Sequence, residues 1–249
     1  MSNVLRYAMA GMLVMAGVFA ARSEASVVIG GTRVIYPARE KEITVKLTND
    51  SSRPALVQVW LDDGDERSTP DTAKVPFTVA PPIFRMEPGK GQAVRVMYTK
   101  EPLPTDKETL FWVNVLEVPP KADNSEGRNL LQFAFRTRIK LLFRPAGLPG
   151  DVTDAPDKLS WTWVPGEDGK GFALRVTNPT PYYVNFARVD VRVGDRDVGN
   201  HGGGMVAPGG TSTFPLKDVT TRPSGEVKAS FGVITDYGAI KDLVKPLSP

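Results

Sequence analysis

Apolar and polar residues alternate in short runs along most of the chain. Ile43, Val45 and Leu47 are interleaved with Thr44, Lys46 and Thr48, and Val94, Val96 and Tyr98 with Arg95, Met97 and Thr99; Val57, Val59 and Leu61 repeat the pattern. A period of two puts alternate side chains on opposite faces of an extended backbone, so these runs read as half-buried β-strands. Between them lie Asn49-Asp50-Ser51-Ser52, Asp62-Asp63-Gly64-Asp65 and Glu87-Pro88-Gly89, residues that tolerate turn dihedrals or bond their own backbone. With no long helical period, the chain is predicted to be all-β and built as sandwiches.

Arg144-Pro145-Ala146-Gly147-Leu148-Pro149-Gly150 interrupts the pattern with prolines and glycines that cannot continue a sheet. It divides the chain into two pieces, 26–145 and 146–249, each the size of one immunoglobulin-like sandwich. The second opens on Leu159 to Val164, continues with strands near Gly171 to Thr177 and Tyr182 to Val193, and is broken later by Gly202-Gly203-Gly204 and Pro208-Gly209-Gly210.

One segment departs from the rest by length. Leu131, Phe133 and Phe135 alternate with Gln132, Ala134 and Arg136, and the pattern runs on through Ile139, Leu141 and Phe143. That makes a strand of about 14 residues, where roughly 5–6 is usual. At a sheet edge it would offer unpaired N–H and C=O groups and large apolar side chains to another chain; in mid-sheet it would be packed on both faces. The pattern leaves both open. Two cations add to this. Arg33 sits inside an apolar strand read from Val28 to Tyr36, and Lys140 sits between Ile139 and Leu141, neither with a carboxylate nearby in sequence. Each either snorkels to solvent or holds its charge ready for an anion from outside, which Arg can grip bidentately and Lys can meet as a compact charge.

Composition narrows the function. The chain has 249 residues, 41% hydrophobic and 24% charged, as in globular proteins and unlike disordered ones. The absence of Cys excludes a disulfide framework and thiolate metal sites, and a net charge of +3 is too mild to argue for nucleic acid. Arg6 precedes an apolar run from Tyr7 to Ala21, short for a membrane span and suited to the core of a signal peptide. Ser23-Glu24-Ala25 puts small residues where a signal peptidase needs them, so residues 1–25 are expected to be removed and the rest exported; a second site near Ala20-Ala21 stays open. His201, within Gly199-Asn200-His201-Gly202-Gly203-Gly204, reads as part of a surface turn, and the acidic run Asp62 to Glu66 as a solvated hairpin tip without the ligand spacing of a calcium loop. No nucleotide-binding or nucleophile-elbow motif occurs. No candidate catalytic or metal site stands out from these motifs.

Several blocks, taken in order, resemble a known family. They are Thr32-Arg33-Val34-Ile35-Tyr36-Pro37, Pro81 to Gly89, Leu110 to Pro120, Arg138-Ile139-Lys140-Leu141-Leu142-Phe143-Arg144-Pro145, Asn178-Pro179-Thr180-Pro181-Tyr182-Tyr183-Val184 and Asp236-Tyr237-Gly238-Ala239. Together they are similar to the marks of the periplasmic pilus-assembly chaperones of the chaperone/usher pathway, over nearly the whole mature chain. The resemblance implies two immunoglobulin-like domains set at an angle as a boomerang. It implies that Leu131, Phe133 and Phe135 form a donor strand that fills the open groove of a pilus (fimbrial) subunit. It also implies that Arg33 and Lys140 bind the subunit's C-terminal carboxylate, and that Glu108, Arg144 and Asp236 form an interdomain charge network. The expected partners are pilus subunits and an outer-membrane usher, in the periplasm; self-association through the donor strand is left open. The resemblance further implies that the protein is no enzyme and takes no cofactor or small-molecule substrate. The short stretch from Pro119 to Gly127 resembles the branch that serves rod-like pili. Simple alternation puts Lys140 and Phe135 on opposite sides of their strand, so a bulge or strong twist is expected if both meet one subunit.

Two other functions compete. A structural pilus subunit or adhesin would be expected to carry one incomplete sandwich and often a Cys pair. An exported carbohydrate-binding or hydrolytic β-protein would use surface aromatics or carboxylates; Trp161 and Trp163, which share a strand face, could form a sugar platform, although such a pair more often packs a core.

Overall fold

The computed structural model describes residues 27–120, 133–166, 171–217, 219–223 and 225–248. Two sandwiches follow one another along the chain. In the first, β1 (Val27–Ile29), β3 (Glu42–Asn49), β7 (Gly91–Tyr98) and β5 (Phe77–Ala80) form one sheet in the order β1-β3-β7-β5. The facing sheet has the order β2-β9-β8-β4-β6, from β2 (Arg33–Pro37), β4 (Ala55–Asp62), β6 (Ile83–Met86), β8 (Thr109–Val118) and β9 (Phe135–Arg144). The inward residues of the alternating strands make the core between them. Val45, Leu47, Val94 and Val96 from one sheet meet Val57, Val59, Leu61, Val113, Val115, Leu141 and Phe143 from the other. Full burial of each such side chain is worth roughly 1.5–3 kcal/mol.

The second domain begins after a 3-10 turn, Val152–Lys158, capped by the Asp151 carboxylate, which accepts from Thr153 N at 2.8 Å. Its smaller sheet has the order β10 (Ser160–Pro165), β11 (Phe172–Thr177), β15 (Thr211–Pro215). The larger is β13 (Arg196–His201), β12 (Val184–Val193), β16 (Val227–Ile234), β17 (Ile240–Pro246), with β14 (Gly204–Val206) also paired to β12. Trp161, fully buried, stacks on Phe231 at 4.7 Å and Phe186 at 5.6 Å, and Trp163 packs on Phe172 at 4.9 Å. Both tryptophans serve this core and its margin, which removes the sugar platform.

Four readings of the sequence need correction. The strand read from Val28 to Tyr36 is two strands in different sheets. Gly30 N makes a last bond to Lys46 O at 2.9 Å before the chain crosses, and Arg33 starts the second strand. Among the described residues the long donor segment is strand over 10 residues, Phe135–Arg144, with Phe133 and Ala134 outside it; its partner β8 ends at Val118, ahead of Pro119-Pro120, and proline has no N–H to add to a ladder. His201 ends strand β13, paired with Val189, instead of lying in a turn. The acidic run is not a wholly solvated tip: Asp62 is 1% exposed, because arginines on β9 fold over it.

Candidate functional site

β2 and β9 run parallel and pair Arg33 with Lys140 through Pro37 with Arg144. The pairing brings two cations side by side. Lys140 Nζ donates to Asn185 Oδ1 at 2.6 Å, and Arg33 Nη1 to Ile234 O at 3.2 Å, both acceptors lying on the second domain. Trp112, opposite Lys140 on β8, offers its ring at 5.8 Å from Nζ. Among the described residues no carboxylate oxygen lies within ion-pair distance of either cation, and Arg33 Nε is buried without a hydrogen-bond partner. Burial, joined by repulsion from Arg33, pushes the Lys140 ammonium down to about 8. Burial also lowers the Arg33 pKa, against a weaker opposing pull from Asp236. Two partly buried positive charges with unused donors make a preformed anion site at the domain junction.

The strand that carries Lys140 is packed in one half and open in the other. From Lys140 to Arg144 it lies between β2 and β8, with Leu141, Leu142 and Phe143 buried. From Phe135 to Ile139 only β8 is alongside among the described residues, so within them the other edge presents unpaired backbone groups. The mid-sheet and edge alternatives therefore both hold, each for half of the strand. Phe133 and Phe135 are 61% and 63% exposed, and Leu131 lies outside the described residues, as does 121–127 of the short loop. The β8–β9 register runs from Glu117–Phe135 to Thr109–Phe143 without a shift, so no bulge turns Lys140 toward the face of Phe135.

Glu108, Arg144 and Asp236 are brought together. Arg144 Nε donates to Glu108 Oε1 at 2.6 Å, and its Nη1 and Nη2 donate to the two oxygens of Asp236 at 2.7 and 3.1 Å. Glu108 Oε2 accepts from Tyr183 N at 2.7 Å, and Glu108 N donates to Pro181 O at 2.9 Å. The loop that supplies those backbone groups is held by buried Asn178, whose Nδ2 donates to Tyr182 O and Ala207 O while its Oδ1 accepts from Thr180. Asp236 stands in a turn closed by Gly238, whose φ of +83° suits glycine. Burial raises the Glu108 pKa, opposed by Arg144 and the Tyr183 N–H. Burial likewise disfavours the Arg144 cation, but its bonds to Asp236 and Glu108 outweigh this and raise its pKa.

Sequence reasoning missed Asn185, Trp112 and Asp62. Asn185 had one available signal, a polar residue in an otherwise apolar stretch, but nothing local linked it to Lys140, 45 positions away.

Residues 26–149 match the family model described as pili and flagellar-assembly chaperone, PapD N-terminal domain, and 154–245 match that of the pili assembly chaperone PapD C-terminal domain. The probable fimbrial chaperone YadV of Escherichia coli K12 is 44% identical over 227 residues, 88% of this chain and 89% of that protein. Chaperone protein FimB/FhaD of Bordetella pertussis is 41% identical over 225 residues, 88% of this chain and 86% of its own length. The crystal structure of the YadV chaperone superposes with a TM-score of 0.76 at 40% identity, covering 89% of this chain and all of that one (100%). A chain from the complex of the Salmonella enterica SafA pilin with the SafB chaperone gives 0.71 at 33% identity, over 89% of this chain and 96% of that one. With two sandwiches matched along their length, the chain belongs to the PapD-like family of pilus-assembly chaperones, and its function is that of a chaperone in chaperone/usher pilus assembly.

Proposed function

We propose that this chaperone captures pilus subunits by strand addition. The open half of β9 lends its edge to the subunit, Phe133 and Phe135, with Leu131, enter its groove, and Arg33 and Lys140 take its C-terminal carboxylate. The observation that carries this reading is that, among the described residues, the edge from Phe135 to Ile139 is unpaired and leads directly onto two cations without a carboxylate partner. Main-chain bonds at an exposed edge give affinity, and alternate side chains in pockets give specificity. The rest of the reading follows: export to the periplasm after cleavage before Ser26, domains of 26–145 and 146–249, and delivery of the capped subunit to an outer-membrane usher. Glu108, Arg144 and Asp236 fix the angle between domains, and no catalytic step is involved.

Arg33→Ala and Lys140→Ala test it. The two cations repel one another and burial opposes both charges, so removing either spares the fold, while capture should weaken by roughly 2–5 kcal/mol per truncation, as for a desolvated charge pair. Melting temperature and pull-down of a purified pilus subunit are measured together. Variants that unfold, or that bind as the parent does, reject the anchor.

A further inference from the structure

The open half of β9 has little to hold it on its inward face. Phe135 and Thr137 are exposed there and only Ile139 is buried. A strand with one partner and thin apolar anchorage frays, because ordering each residue costs backbone entropy.

The outer face supplies what the inner face lacks. Arg136 and Arg138 lie across the outside of the sheet, 4.8 Å from the rings of Trp60 and Trp112 respectively. Both converge on Asp62, at the end of β4, with β8 between. Arg138 Nη2 donates to Asp62 Oδ1 at 2.7 Å, and Arg136 Nη2 reaches Oδ2 at 3.5 Å. Arg136 also donates to Asn114 Oδ1 at 2.9 Å and Glu66 O at 2.6 Å. Asn114 Nδ2 and Gly64 N complete the carboxylate's shell, each at 2.7 Å. Burial alone would raise the Asp62 pKa, but donors from Asn114, Gly64 and Arg138 more than reverse that and keep it ionised. A buried ion pair adds little net stability over apolar packing; what it adds is fixed geometry. Here the fixed element is the segment whose other edge is empty.

We propose that Asp62 is a positioning residue for subunit capture: by tethering Arg136 and Arg138 across the sheet, it keeps the unpaired half of β9 extended and in register for an incoming strand. The proposal rests on the strand-addition reading and adds a residue on the far face of the sheet to it. A preordered strand pays less entropy on binding, so the clamp speeds capture without touching the subunit.

Asp62→Asn keeps the shape and removes the charge. In the free protein, amide exchange of residues 136–139 should accelerate at least tenfold, while residues 140–144 of β9 and 94–96 of β7 stay as in the parent. Capture of a purified pilus subunit should slow at least fivefold. Arg136→Gln, which leaves the Arg138–Asp62 pair intact, should move both readouts in the same direction by two- to threefold, and it decides the matter if Asp62→Asn does not fold. Unchanged exchange at 136–139, acceleration throughout the first domain, or fraying without slower capture each overturns the proposal. Capture unaffected by Phe135→Ser would instead overturn strand addition itself. The exchange result would then stand as local ordering alone, and the role in capture would be rejected.

Discussion

Lys140 bears on the stability of the free protein and, in the proposed reading, on carboxylate capture, and pH should move the two in opposite directions. Its folded pKa of about 8 lies below the ordinary 10.5, so between those values the unfolded chain binds more protons than the folded one. The free protein should therefore gain stability as pH rises through that window, because the buried charge is shed. If Lys140 takes the subunit's carboxylate as proposed, affinity for it should fall over the same range, by at most about tenfold per pH unit, as the ammonium is lost. Lys140→Met should flatten both trends. Denaturant titrations and subunit binding at pH 7 and pH 9.5 check this, and parallel losses of stability and affinity on going alkaline would contradict it.

At the scale of the element, β9 explains why a protein tolerates two exposed phenylalanines at a strand end. If Phe133 and Phe135 serve only a partner, replacing both by Ser leaves the free protein's stability within about 0.5 kcal/mol of the parent, as for surface positions. The complex should lose roughly 1.5–3 kcal/mol for each side chain fully buried in it. A core role would instead lower the melting point sharply, at roughly 3–5 kcal/mol each. Alternation in the sequence made the strand and its apolar face legible, since Ile139, Leu141 and Phe143 point inward as their period requires. The strand's beginning at Phe135 was not legible there, because it follows from where β8, a strand distant in sequence, ends at Val118. The arginines on its outer face look like ordinary surface charges until β4 brings Asp62 beneath them.

Across the whole molecule, the domains are joined in part by a partly buried ion triad in which one strand end does the connecting. Arg144 closes β9, touches Glu108 of its own domain and Asp236 of the other, and lies over the Tyr182 ring at 5.6 Å. Arg144→Ala leaves Glu108, 2% exposed, without its counter-charge. Losing one partner of such a pair costs roughly 3–5 kcal/mol. The expected result is a lower melting point and a wider distribution of interdomain angles in small-angle scattering; unchanged scattering would show that the triad does not set the angle. The two-domain plan was legible from the break after Arg144 and the alternation on either side. The triad's geometry was not, since its members are 36 and 92 positions apart and nothing local couples them.

The parallel pairing of β2 with β9 also dictates what kind of chain end can dock. β2 begins at Arg33, and the lane ahead of it, unfilled among the described residues, runs about 13 Å from Phe135 to Ile139 at ~3.3 Å per residue. A segment laid in that lane with the same polarity as β2 would finish where β2 starts, so the two pieces would read as one strand with a nick. In the proposed reading a free α-carboxylate at the nick would face Arg33 and Lys140, whereas a chain that continued past it would run into β2. Exclusion by the start of a strand selects a true C-terminus over an internal segment of equal sequence. A subunit peptide whose C-terminus is amidated, or extended by a few residues, should accordingly be captured at least tenfold more weakly than the native end in a direct competition; equal capture would show that the nick does not discriminate.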